Sequence, residues 1–305
     1  MDIAILGPLA VRSRGGEAAP TAPKPRQLLA LLAARVDEVI SMDLLIDELW
    51  ETRPPSSAVT TVQTYIGQLR RALTQSLQVS PSEVAADVLQ FTGWGYRLTA
   101  GGGTHDAQAF LRCAELGRDS LAAGANDQAS VLLRRALRIW RGPALAGVRL
   151  GPHLLAHRTH LEAHRLAAVE QRVEADLRLG HHHELIGELS GLVLQYPLHE
   201  NLHSLFMISL YRAGRPAQAL DVFHKIRNYL RKELGIDPSP RMRHLQQAIL
   251  VADPRLEAET QSRLFRLELD LPSGAPSEVR TDPSGLPTEM AAGRRRVLGP
   301  PFAQG

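Results

Sequence analysis

Residues 56–77, SSAVTTVQTYIGQLRRALTQSL, limit what the surrounding chain can become. Val59, Val62, Ile66, Leu69 and Leu73 recur at spacings of three, four, three and four, so one helical face is apolar and needs a small core to cover it. Pro54 and Pro55 end whatever helix precedes, and Ser56 or Ser57 can cap this one. The other faces carry Thr60, Thr61, Gln63, Thr64, Gln68, Arg70 and Arg71. Such a set of hydroxyls, amides and guanidinium groups is either a solvated helix surface or one that meets base edges and phosphates. The flanking elements must decide between these.

Upstream, residues 3–6 and 9–12 read as short strands about Gly7-Pro8, with a third after Gly15-Gly16. A helix opening at Lys24 has a broad stripe of Leu28, Leu29, Leu31 and Leu32. A second, capped by Ser41, turns Leu44, Leu45, Leu49 and Trp50 inward. Downstream, residues 87–92 and 96–99 are expected as two strands joined at Gly93-Trp94-Gly95. Strands, three helices and a hairpin in that order describe a winged helix-turn-helix, whose third helix enters a major groove while the hairpin lies along the neighbouring backbone.

The runs LGPLAV, KPRQLLALLAARVDEVISMDLLIDELWETRPPSSAVTTVQTYIGQLRRAL and GWGYRL closely resemble the Streptomyces antibiotic regulatory protein family. The resemblance continues through LLRRALRIWRGPAL, EADLRLGHHHELIGEL and YPLHENLHSLFMISLYRAGRPAQALDVFHKIRNYLRKELGIDPSPRMRHL, and covers about residues 3–252. It implies an OmpR/PhoB-type DNA-binding domain followed by a bacterial transcriptional activation domain. It further implies activation of an antibiotic or other secondary-metabolite cluster, with protomers on direct repeats near the minus-35 element contacting RNA polymerase or its sigma factor. The segment Glu51, Thr52, Arg53, Pro54, Pro55 and Ser56 resembles the polymerase-facing loop of such activators; the residues alone show only a helix boundary.

Base contacts are expected from Thr60, Thr61, Gln63, Thr64 and Gln68, with back-bonding of a threonine to its own helix as the alternative. Backbone contacts are expected from Lys24, Arg26, Arg70, Arg71, Arg97 and, at the wing tip, Trp94. Tyr96 and Trp50 read as core aromatics. Residues 1–98 hold nine basic and ten acidic residues, a formal −1, so DNA affinity must come from local placement of charge.

Beyond Gly101-Gly102-Gly103, which reads as a flexible break, the chain is expected to be helical over residues 107–121, 128–140, 153–179, 185–194, 202–213 and 216–230. Short connections and Ala/Leu stripes suggest a tetratricopeptide-like array, with Ala213, Ala217, Ala219, Leu220 and Phe223 at one seam and Gly235, Asp237 and Ser239 ordering the next turn. The fold class is therefore mainly α, a winged helix-turn-helix with small β elements and then an all-helical domain. The expected domains are residues 1–100 and 104–252, with a terminal helix at 253–270 and a disordered tail at 271–305. The runner-up function is a helical-repeat interaction scaffold with auxiliary DNA binding.

No Walker loop, nucleophile elbow or HExxH helix occurs, so catalysis and a cofactor are not expected. His157, His160 and His164, and the tract 181–183, read as packed, capping or solvated imidazoles in preference to a metal site. Asp47 and Glu48 read as a solvated helix face. The single Cys113, the absence of a basic leader and the lack of a membrane-length apolar run fit a cytoplasmic, nucleoid-associated protein.

Overall fold

Three short strands open the chain: β1 (Asp2–Ala4), β2 (Ala10–Ser13) and β3 (Gly16–Glu17), antiparallel in that order with Ile3 opposite Val11. The computed structural model describes residues 1–13 and 15–257, all within the unit Met1–Arg266. The expected helix and tail beyond residue 257 lie outside the described residues.

Helix α1 (Pro23–Ala34) begins on prolines, whose missing amides cost nothing in a first turn, and buries Leu28 through Ala33. Strand β4 (Val39–Ser41) adds to the expected elements; it was hidden because three residues are too few to show alternation. Ser41 then caps α2 (Met42–Trp50), its Oγ accepting from the Leu44 amide at 3.2 Å. Helix α3 spans Ala58–Leu77.

Residues 87 and 88, expected to open a strand, instead end a helical segment that begins at Pro81. Ser80 and Glu83 form a reciprocal capping box that starts α4 (Pro81–Glu83), and the chain runs on through a π turn, Val84–Val88, before β5 (Leu89–Phe91). The Ser-x-x-Glu spacing carried that signal. Strand β6 (Gly95–Leu98) pairs with both β5 and β4, giving the order β4-β6-β5. Gly95 is obligatory here, because a Cβ would lie 2.2 Å from the Ile40 carbonyl oxygen.

The helical part comprises α5 (Asp106–Ala122), α6 (Asn126–Arg138), α7 (Pro152–Arg178), α8 (His182–Gln195), α9 (Glu200–Arg212), α10 (Pro216–Leu234) and α11 (Pro240–Leu250). Successive helices pack on one another as an array. Ala219 and Phe223 are buried at the expected seam and Leu220 and Ala213 are half-buried, but Ala217 faces solvent. Gly235 ends α10 with φ 69° and Ser239 caps α11; Asp237 instead pairs with Arg231 at 2.7 Å.

The glycine run is not a break between cores. One buried cluster runs from Ile3 and the α1 leucines through Val62, Ile66 and Leu69 to Phe110, Leu133, Leu161 and Ala175. Gly103 packs so closely that a Cβ would lie 1.8 Å from the Met1 carbonyl oxygen. Polar side chains fasten the same junction. Asp106 accepts from the Ile5 and Leu6 amides at 2.8–3.0 Å. His105 Nδ1 accepts the Gln108 amide, leaving Nε2–H to donate to the Ala33 carbonyl at 2.8 Å.

Glu48 corrects a sequence expectation. It is 1% exposed, not solvated, and accepts from the amides of Gly151, His153 and Leu154 at the start of α7. A carboxylate there meets unpaired helix donors and the positive end of the helix dipole. Asp47, one residue away, pairs with His153 at 2.8 Å.

Candidate nucleic-acid interface

Helix α3 is held from three sides. Val62, Ile66, Leu69 and Leu73 are buried as expected, but Val59 is 46% exposed and Ala58 takes the inward position at the first turn. At its far end the Ser76 carbonyl accepts the Gly15 amide at 2.9 Å, and Ser76 Oγ donates to the Gly16 carbonyl at 2.7 Å. Arg70 donates from Nε and one terminal nitrogen to the Leu89 carbonyl at 3.1 and 2.8 Å, tying α3 to the wing.

This anchoring leaves a continuous exposed face of Thr60, Gln63, Thr64, Gln68 and Arg71. These residues fall within one arc because 100° per residue brings positions 60, 64, 68 and 71 to one side with 63 beside them. Thr61 is half-buried at the edge. Thr61 Oγ1 donates to the Ser57 carbonyl and Thr64 Oγ1 to the Thr60 carbonyl, both at 2.9 Å. Each hydroxyl has therefore committed its proton to the helix, and can offer a base an acceptor oxygen and a methyl group.

The basic residues divide. Arg71 is exposed. Arg70, bound to Leu89 and 6.0 Å from the Tyr96 ring, is a structural tie in this conformation. Arg26 reaches the carbonyls of Leu9 and Pro20 at 3.0 and 3.3 Å and pins the β3–α1 connection to the start of β2. Arg97 donates to Gln90 Oε1 across β5 and β6. Lys24 sits 4.3 Å over the Trp50 ring, and its ammonium pKa is lowered by partial burial and by Arg149. Of the six residues expected at the DNA backbone, Arg26, Arg70 and Arg97 thus have intramolecular hydrogen-bond tasks that spacing alone could not reveal, while Arg71 and Trp94 face outward.

Gly93 (φ 92°) turns the wing tip, leaving Trp94 61% and Phe91 54% exposed while Tyr96 is buried. The Phe91 and Tyr96 rings pack at 5.2 Å between centroids. The loop Glu51, Thr52, Arg53, Pro54, Pro55 and Ser56 is exposed throughout, with Glu51 at φ 56° reversing the chain after α2.

The histidines are spread along packed helices. His157 is half-buried and its pKa is pushed down to about 4, first by burial and then by the charges of His160, Arg35 and His105. His160 and His164 stack edge to face with centroids 4.4 Å apart. No group of three or more His, Cys, Asp or Glu among the described residues could hold a metal ion, and no described helix is long and apolar enough to cross a membrane.

Residues 16–98 match the family described as "Transcriptional regulatory protein, C terminal", and residues 105–250 match "Bacterial transcriptional activator domain". The chain is 46% identical over 257 residues to regulatory protein DnrI of Streptomyces peucetius, covering 84% of this chain and 94% of that protein. The chain belongs to the Streptomyces antibiotic regulatory protein family. Regulatory protein AfsR of Streptomyces coelicolor is 40% identical, but the match spans only 24% of its length. A solved structure of Mycobacterium tuberculosis EmbR, in complex with a low-affinity phosphopeptide, superposes with a TM-score of 0.74 at 31% identity. That superposition covers 84% of this chain and 68% of the EmbR chain. This family member is a transcription regulator with the expected fold class, mostly helical with small β elements at its N-terminus.

Proposed function

We propose that this regulator binds promoter DNA sequence-specifically and activates a bacterial secondary-metabolite cluster, such as one for an antibiotic, in the cytoplasm at the nucleoid. The observation that carries this reading is the exposed face of α3, a helix anchored through Arg70 and Ser76 in its second half yet free of intramolecular side-chain partners at Gln63, Gln68 and Arg71. In this arrangement α3 lies in a major groove. Thr60, Gln63, Thr64 and Gln68 face base edges, Arg71 meets a phosphate, and Trp94 lies beside the adjacent backbone. Thr61, at the edge of the face, meets the groove wall.

Protomers occupy direct repeats near the minus-35 element and touch one another head to tail, since a repeat without dyad symmetry requires a heterologous contact. The exposed loop 51–56 then faces RNA polymerase or its sigma factor. Recruitment, not covalent chemistry, is the mechanism. Residues 1–100 serve as the DNA-binding part and residues 104–252 as the activation part.

The test is selection of genomic fragments by the full chain at several salt concentrations, beside Arg71→Ala. Enrichment of directly repeated promoter elements, held by the variant only at lower salt, is the expected result. No enrichment at any salt would sink the reading. It would favour the scaffold alternative, for which the structure offers a groove of about 480 Å³ between α8, α9 and α10, lined in part by Leu194, Phe206, Lys225 and Tyr229.

A further inference from the structure

Gly67 stands in the middle of α3, where an interior glycine costs the helix roughly 1 kcal/mol relative to alanine. Three intramolecular reasons could require it, and none applies. Its φ is not positive. The helix is continuous from Ala58 to Leu77, so the glycine marks no end. Apart from its chain neighbours and the adjoining backbone of its own helix, no heavy atom lies within 4 Å of where its Cβ would stand, in contrast to Gly117, whose Cβ would meet Leu133 Cγ at 2.6 Å.

What surrounds Gly67 is the exposed face itself. Counting along the helix, Gln63 and Thr64 lie one turn before it and Arg70 and Arg71 one turn after, while Thr60 lies two turns before. The glycine is thus a notch down to the main chain at the centre of the polar arc. A helix with side chains is about 10–12 Å across and a B-DNA major groove is about 12 Å wide, so depth of entry is set by whatever stands at the centre of the inserted face.

Resting on the DNA-binding reading above, we propose that Gly67 is a positioning and specificity-determining residue: its missing side chain lets the α3 backbone approach a base-pair edge, and so brings the flanking Gln63 and Thr64 into reach. An added methyl holds the helix off by about a C–C bond length, roughly 1.5 Å, enough to lengthen the base contacts of Gln63 and Thr64 beyond their working range, while the longer, flexible Arg71 still reaches a phosphate.

The experiment compares the full chain, Gly67→Ala and Gly187→Ala. Gly187 is an exposed, open glycine within α8 and controls for the gain in helix propensity. Both variants should melt about 2–4 °C higher than the parent. Gly67→Ala should bind the parent's enriched sequence at least about tenfold more weakly while holding random DNA within about twofold; Gly187→Ala should bind both as the parent does. Unchanged specific binding by Gly67→Ala overturns the inference, as does a fall in its melting temperature, which would make the glycine structural. A parent that enriches no sequence removes the underlying reading, and the inference with it.

Discussion

Replacing Glu48 by glutamine tests whether one buried carboxylate joins the N-terminal elements to the helical array. Its Oε1 accepts from the Gly151 amide at 2.7 Å and Gln27 Nε2 at 3.0 Å; its Oε2 accepts from the amides of His153 and Leu154 at 2.9 and 3.1 Å. All four partners are donors. Glutamine keeps one acceptor oxygen and turns an NH₂ toward the other two donors, each of which loses its bond at about 1–3 kcal/mol. Loss of the negative charge at the α7 N-terminus adds to this, while relief of a desolvated charge offsets part of it. The net expectation is a loss of about 2–4 kcal/mol, or a melting temperature lower by roughly 5–12 °C for a unit of this size. Thermal and urea unfolding followed by circular dichroism would measure it, with Asp47→Asn as the comparison. The Asp47–His153 pair is partly exposed, so that change should cost less than about 1 kcal/mol. A Glu48→Gln effect no larger than that of Asp47→Asn would refute the argument.

Three further outcomes are expected. Thr64→Ala should lose discrimination between the enriched sequence and random DNA more than total affinity, whereas Arg71→Ala should weaken both about equally and lower the salt slope by about one; titrations at two or more salt concentrations distinguish them. Arg70→Ala should destabilise the fold by about 1–2 kcal/mol, because the Leu89 carbonyl loses its guanidinium partner, and a weaker DNA complex at unchanged melting temperature would contradict that assignment. His157, with its pKa lowered from 6.5 to about 4, is neutral in the fold while the unfolded chain takes up a proton earlier. Its contribution is therefore complete above about pH 6.5 and is lost as pH falls from there toward 4, by about 1–2 kcal/mol after allowance for partial exposure. Urea titrations at pH 7.5 and 4.5 should show a smaller loss in His157→Gln than in the parent.

Much of the α3 face could be read from residue order, because a period of 3.6 sorts Val62, Ile66, Leu69 and Leu73 from Thr60, Gln63, Thr64, Gln68 and Arg71 without reference to any partner. Val59 escaped that logic. It satisfies the period, but the helix begins at Ala58 and the core does not reach its side. The roles of Arg26, Arg70 and Arg97 were illegible for another reason: an arginine looks the same in sequence whether its fork meets a phosphate or a carbonyl of its own chain.

Local chemistry thus determined the helices and their order, the Ser41 cap, the Gly93 turn and the short strands that form the wing, since each depends on residues a few positions apart. The joining of the two halves depended on tertiary structure. Glu48 and Asp47 are neighbours in a helix and chemically alike, yet one caps α7 from inside the protein and the other stays half in solvent. That difference comes from a helix starting more than a hundred residues later. Burial of a charge is a property of what the distant chain brings against it, and no spacing within α2 encodes that.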